Sequence, residues 1–68
     1  MAADPDDPRR FSQFWDDGDE FHDSTIAEMF PDTVNFGEDV PEEVERLRVG
    51  EDTWVDGGQQ QVRVLRTA

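Results

Sequence analysis

The sequence predicts a small single α+β domain, an antiparallel sheet of hairpins with two short helices packed on a face. Three observations predict it. Two segments of large or alternating side chains, Phe11 to Trp15 and Thr53 to Val55, each run into a turn signal, Asp16-Asp17-Gly18-Asp19 and Asp56-Gly57-Gly58. Two other segments open on helix-start signals, Asp23-Ser24-Thr25 and Pro41-Glu42-Glu43. A chain of 68 residues has room for one domain and not two.

Residues 1–8 hold two prolines, three aspartates and no large side chain, so a flexible acidic tail is expected ahead of a domain at 9–68. Phe11, Phe14 and Trp15 favour extended backbone, and the first hairpin should return through Glu20 to His22. Thr25 and Glu28 have capping-box spacing, Ile26, Met29 and Phe30 share a helical face, and Pro31 should stop that helix. Residues 32–39, around Val34 and Phe36, are expected to be loop. From Pro41 the signals for a helix are the clearest in the chain. Glu42 and Glu43 suit its positive end, Arg46 and Arg48 its negative end, and Gly50 can close it. Val40, Val44 and Leu47 would then form a narrow stripe on the sheet. A second hairpin runs from Thr53 through Gly57-Gly58 to Gln59–66, where Val62 and Val64 alternate with Arg63. Local pattern leaves open whether the hairpins stay separate or join in one sheet.

Eighteen acidic residues against six basic ones give a net charge of −12 and a pI near 4.1. Nucleic acid and anionic lipid carry dense negative charge of their own, so neither is expected as a direct partner. No apolar run approaches the roughly 20 residues that cross a bilayer, and the acidic start lacks the basic region of a signal peptide. The expected location is cytoplasmic, the host cytoplasm for a phage gene. A chain this short buries only about 60% of its unfolded surface, and with no cysteine it lacks disulfides and thiolate metal sites.

The chain has no Lys, Tyr or Cys, one His and two Ser, which empties most catalytic constellations. No enzyme and no cofactor is expected. His22 lies beside Glu20 and Asp23, but alternation on a strand sends Glu20 and His22 to one side and Asp23 elsewhere, a weak and unselective metal site. An EF-hand loop ending at Glu28 would place Phe21 and His22 at the fifth-position ligand and the sixth-position glycine, so its spacing fails. A glycosidase pair of carboxylates needs a cleft that this core cannot readily build.

What remains is the acidity. Charges recur about every 3.4 Å along one DNA strand; carboxylates two apart on a strand lie roughly 6.6 Å apart, and those four apart on a helix about 6 Å. Rows of this kind approximate a phosphate track. The candidate rows are Asp16, Asp17, Asp19, Glu20 and Asp23 around the first turn, and Glu38, Asp39, Glu42 and Glu43 at the start of the second helix. The competing explanation is solvation in concentrated salt, since Asp outnumbers Glu and Lys is absent. Arg9 and Arg10 are expected to pair with the acidic body, and Arg46 or Arg48 with Glu42 or Glu45. Most of the two tryptophans and five phenylalanines are expected in the core, with room for one exposed anchor.

Gly18-Asp19-Glu20-Phe21-His22-Asp23-Ser24, then Glu28, Val40-Pro41 and Gly50-Glu51 with Trp54, resemble a small acidic anti-CRISPR family that inhibits type I-F surveillance complexes. The resemblance implies a compact α+β protein that binds the Cas subunit recognising target DNA, its carboxylates occupying the arginines and lysines that would hold the duplex. By that analogy Asp19, Glu20, Asp23 and the cluster from Glu38 to Glu43 are contact residues. A longer segment from Pro31 to Asp39 and an added strand at Gln59–66 depart from the family pattern and leave the target open.

The leading expectation is a non-catalytic inhibitor that mimics nucleic-acid charge and blocks a DNA-binding host-defence protein of the anti-CRISPR or anti-restriction type. The alternative is a halophilic or regulatory interaction domain whose acids serve solvation and whose binding surface is a sheet edge at Gln59–66. A metal-dependent enzyme around His22 is a third reading, and it requires a bound ion.

Overall fold

A computed structural model describes residues 3–68. Along the chain lie β1 (Phe11–Trp15), β2 (Glu20–Ser24), α1 (Ile26–Met29), α2 (Pro31–Asn35), α3 (Glu42–Glu45), β3 (Asp52–Asp56) and β4 (Gln61–Arg66). The strands form one antiparallel sheet in the order β2-β1-β4-β3, so the two hairpins join through β1 and β4. The sheet edge expected at Gln59–66 is therefore corrected: β4 is internal, and β2 and β3 are the edges.

Period-two alternation divides the sheet into two faces. Phe11, Gln13 and Trp15 of β1 lie opposite Arg66, Val64 and Val62 of β4, while Thr53 and Val55 of β3 oppose Val64 and Val62. This face takes Ile26 of α1, Val44 of α3 and the following Leu47, completing a core of Phe11, Ile26, Val44, Leu47, Val55, Val62 and Val64. Ala3, Trp15, Met29, Phe30 and Val40 pack around it.

β2 carries a bulge. Phe11 pairs with Ser24 but Gln13 pairs with Phe21, and the extra residue is absorbed where Asp23 adopts φ 59°. Aspartate tolerates that left-handed conformation better than most residues. The strand thus extends to Ser24, and Thr25 alone caps α1, its Oγ1 accepting from the Glu28 N–H at 3.2 Å.

Two helical expectations are corrected. Residues 32–39 are not all loop, because Pro31 occupies the first turn of α2, where its missing N–H costs nothing. Phe30 ends one helix and begins the next, giving three short helices in place of two. The helix expected from Pro41 to Gly50 is the single turn Glu42–Glu45. Beyond it the Leu47 carbonyl accepts from Arg66 Nη1 at 3.0 Å and the Gly50 N–H donates to the Arg66 carbonyl at 2.8 Å. The chain is recruited by β4 before a second turn forms.

Met1 and Ala2, part of the expected tail, lie outside the described residues. Residues 3–8 form no helix or strand, but the Ala3 N–H donates to the Thr33 carbonyl at 3.2 Å and Asp7 binds Arg9. Among the described residues no helix is long and apolar enough to cross a membrane.

Candidate interaction surface

The face of the sheet opposite the core carries Ser12 and Phe14 from β1, Glu20 and His22 from β2, Asp52, Trp54 and Asp56 from β3, and Gln61, Arg63 and Leu65 from β4. Cross-strand pairing sets Glu20 opposite Phe14, Phe14 opposite Arg63 and Arg63 opposite Trp54, one row across all four strands. The Arg63 guanidinium lies 5.5 Å from the Phe14 ring centroid and is ion-paired with Asp52. His22 meets the same ring edge-on at 5.8 Å. Beyond Arg63 the Trp54 side chain is 54% exposed.

Ser12 Oγ lies 3.0 Å from His22 Nδ1, and His22 Nε2 lies 3.4 Å from Glu20 Oε1. Serine, histidine and carboxylate thus stand in the sequence of a hydrolytic relay. Ser12 is only 5% exposed, so its hydroxyl is largely closed to solvent, whereas His22 and Glu20 are exposed on the open face of the sheet. Among the described residues no group of three or more His, Asp or Glu could hold a metal ion.

The first candidate acidic row divides. Asp16, Asp17 and Asp19 occupy the β1–β2 turn and Glu20 begins β2, whereas Asp23 lies at the far end of β2, 3.8 Å from Arg10. The turn of the other hairpin stands beside the first. The Asp17 N–H donates to Gln60 Oε1 at 3.3 Å, and the Gln61 N–H to Asp16 Oδ2 at 3.4 Å. This brings in Asp56, at the end of β3, which sequence reasoning missed. Its place at a strand end is legible from the Asp-Gly-Gly turn signal, but its nearness to the first turn follows only from the order in which the sheet joins the hairpins.

The second row, Glu38, Asp39, Glu42 and Glu43, is exposed and precedes or lies within α3. α3 is tied to the opposite end of β1, because Arg9 Nη2 donates to Glu45 Oε1 at 2.7 Å. Five strand residues, about 17 Å of extended chain, separate Arg9 from the acidic turn. The two rows are therefore not one track. Glu42 is paired with Arg46 at helical spacing, as expected, and Arg9 and Arg10 pair with acids as expected.

The aromatics depart from expectation. Phe11 is buried and Phe14, Trp15 and Phe30 are half-buried, but Phe21, Phe36 and Trp54 are all at least half exposed. Phe21 lies opposite Gln13, on the other side of the sheet from Glu20, so Trp54 is the most exposed tryptophan or phenylalanine of the open face.

No protein-family model, curated protein or solved structure matches this chain.

Proposed function

We propose that this chain is a non-catalytic binding protein that presents carboxylates to a basic surface of a nucleic-acid-binding protein and competes there with nucleic acid. The observation that carries this reading is the group Asp16, Asp17, Asp19, Glu20 and Asp56 at the joined-turn end of the sheet. Among the described residues, no arginine forms an ion pair with any of the five and only Glu20 has a basic side chain in reach, His22 at 3.4 Å, whereas Arg9, Arg10, Arg46 and Arg63 are all engaged elsewhere. Uncompensated charge at one end of a small body steers association and makes it sensitive to salt. The resemblance to the type I-F anti-CRISPR family supports a Cas subunit that holds target duplex as the first partner to test.

The test is affinity capture with the tagged protein at about 0.05 M and about 0.5 M KCl, a range over which the screening length falls severalfold. A nucleic-acid-binding protein retained at low salt, released at high salt and displaced by its own nucleic acid is the expected result. The triple variant Asp16→Asn, Asp17→Asn, Asp19→Asn should lose it. A partner indifferent to both salt and the triple variant overturns the reading.

A second reading has one observation in its favour: carboxylates also crowd the α3 end of the sheet, far from the turns. Acids dispersed in this way suit solvation in concentrated salt, and stability that keeps rising beyond about 1 M KCl, where the screening length is already down to about 3 Å, would favour it.

A further inference from the structure

We infer that the open sheet face is the recognition surface and that Trp54, with Asp56 beside it, takes an arginine side chain from an extended segment of the partner protein. The inference rests on the reading above, in which the partner is basic, and adds which face meets it and which side chain it captures. The molecule already contains one such assembly: Arg63 stacks on Phe14 while Asp52 holds its charge. On the neighbouring strand Trp54 and Asp56, two residues apart on the same face, repeat the aromatic and the acid. Among the described residues no cation stacks on Trp54 and no arginine pairs with Asp56. The Asp56 Oδ1 accepts from the Gly58 N–H at 3.0 Å, which orients the carboxylate without neutralising it.

Charge selects this occupant over others. A single-stranded nucleic acid could stack a base on Trp54, but its phosphates would run beside Asp56, Asp52 and Glu20. A second copy pairing β3 to β3 about Trp54 would set each Asp52 against the other chain's Asp56, like charges directly opposite. A cationic segment meets neither penalty, and β3 is a sheet edge that such a segment can reach. Arginine is favoured over lysine because its planar guanidinium stacks on an indole and hydrogen-bonds a carboxylate at once.

The test is titration with a nonaarginine and a nonalysine peptide, followed by the NMR indole N–H resonance of Trp54, assigned by its loss in Trp54→Leu. Both peptides should bind at low salt. Nonaarginine should bind about 2- to 5-fold more tightly, the size of an exposed cation–π contact, and should shift the Trp54 resonance. Trp54→Leu and Asp56→Asn should erase most of the arginine preference, and Trp54→Phe should keep part of it. The triple turn variant should weaken both peptides alike. The resonance shift is read on the unaltered protein and so stands independently of how the variants fold. Equal affinities with an unmoved Trp54 resonance overturn this inference and leave the charge reading intact. Binding of neither peptide overturns both.

Discussion

Arg9 and Glu45 meet at 2.7 Å across 36 residues of sequence, and the same guanidinium nitrogen reaches Asp7 at 2.7 Å. One arginine at the entrance to β1 therefore fastens both the segment before it and the single turn of α3. Four residues of helix cannot sustain themselves in water. α3 holds its place through buried Val44, the neighbouring Leu47 and this bridge.

Replacing Arg9 should accordingly cost more than a typical surface ion pair. Arg9→Met leaves Asp7 and Glu45 facing each other without their cation, and a loss of about 1–2 kcal/mol is expected, between an exposed pair and a charge-assisted hydrogen bond. For a domain of this size that lowers Tm by about 4–16 °C. Thermal melts followed by circular dichroism check it. A melting curve superimposable on that of the unaltered protein would show the bridge to be passive.

Acid should act through the same group. The side-chain hydrogen bonds from Arg9 hold the Asp7 carboxyl below its ordinary value of 3.8, against the opposing effect of burial. The folded state then binds this proton less readily than the unfolded chain. The resulting stability is complete above the unfolded pKa and drains as pH falls through the lowered folded one. Asp7→Asn should therefore be less stable than the unaltered protein at neutral pH, with the difference shrinking below about pH 4. Urea unfolding at a series of pH values gives the comparison, and a gap that persists undiminished at the acid end would exclude Asp7 as its source.

Gly57→Ala tests the seam between the second turn and the core. An added Cβ would stand 2.7 Å from Trp15 Cζ3, 2.9 Å from Cη2 and 3.2 Å from the Gln60 carbonyl oxygen. The indole packs against the core, and among the described residues no hydrogen bond anchors its buried N–H, so packing alone resists its displacement. Overpacking of about 1–3 kcal/mol is expected, with a change in tryptophan emission. Gly58→Ala, where the neighbouring space is open but φ is +99°, should destabilise through backbone strain and leave the emission alone.

These residues also show what local pattern can and cannot carry. Both hairpins were legible because Asp-Gly and Gly-Gly mark turns through backbone geometry alone, and Thr25 with Glu28 marked the start of α1. The pairing of β1 with β4 was not legible, since it joins Phe11 to Arg66 across the whole domain. The end of α3 escapes local pattern for the same reason. Arg46, Arg48 and Gly50 fit a helix terminus locally, but the hydrogen bonds from Arg66 to Leu47 and from Gly50 to Arg66 decide where the chain turns. Proline is ambiguous by nature, and Pro31 opens α2 with the same property that was expected to close α1. Among the acids, nearness in sequence groups Asp23 with Asp16 to Asp19, yet a strand carries neighbours in sequence away from one another. Asp56 was omitted because only the sheet order brings its turn beside theirs.

Salt should separate the roles of these carboxylates. Asp16, Asp17, Asp19 and Asp56 repel one another at the joined turns with no arginine between them, so the folded state should gain stability as salt is added and the screening length shortens from about 10 Å at 0.1 M to about 3 Å at 1 M. Exposed ion pairs such as Arg46 with Glu42 weaken over the same range, but each contributes only about 0.3–0.5 kcal/mol, and the excess of acids outweighs them. The triple variant Asp16→Asn, Asp17→Asn, Asp19→Asn should melt higher than the unaltered protein in low salt and show a smaller rise with KCl, the two curves converging near 1 M. If the carboxylates serve binding, this gain in stability comes with loss of the salt-sensitive partner. A triple variant that melts lower in low salt would mean that the charge-assisted bonds accepted by the carboxylates, from the Asp19 N–H to Asp17 Oδ1 at 3.0 Å and from the Gln61 N–H to Asp16 Oδ2 at 3.4 Å, hold the sheet end together more strongly than the charges push it apart.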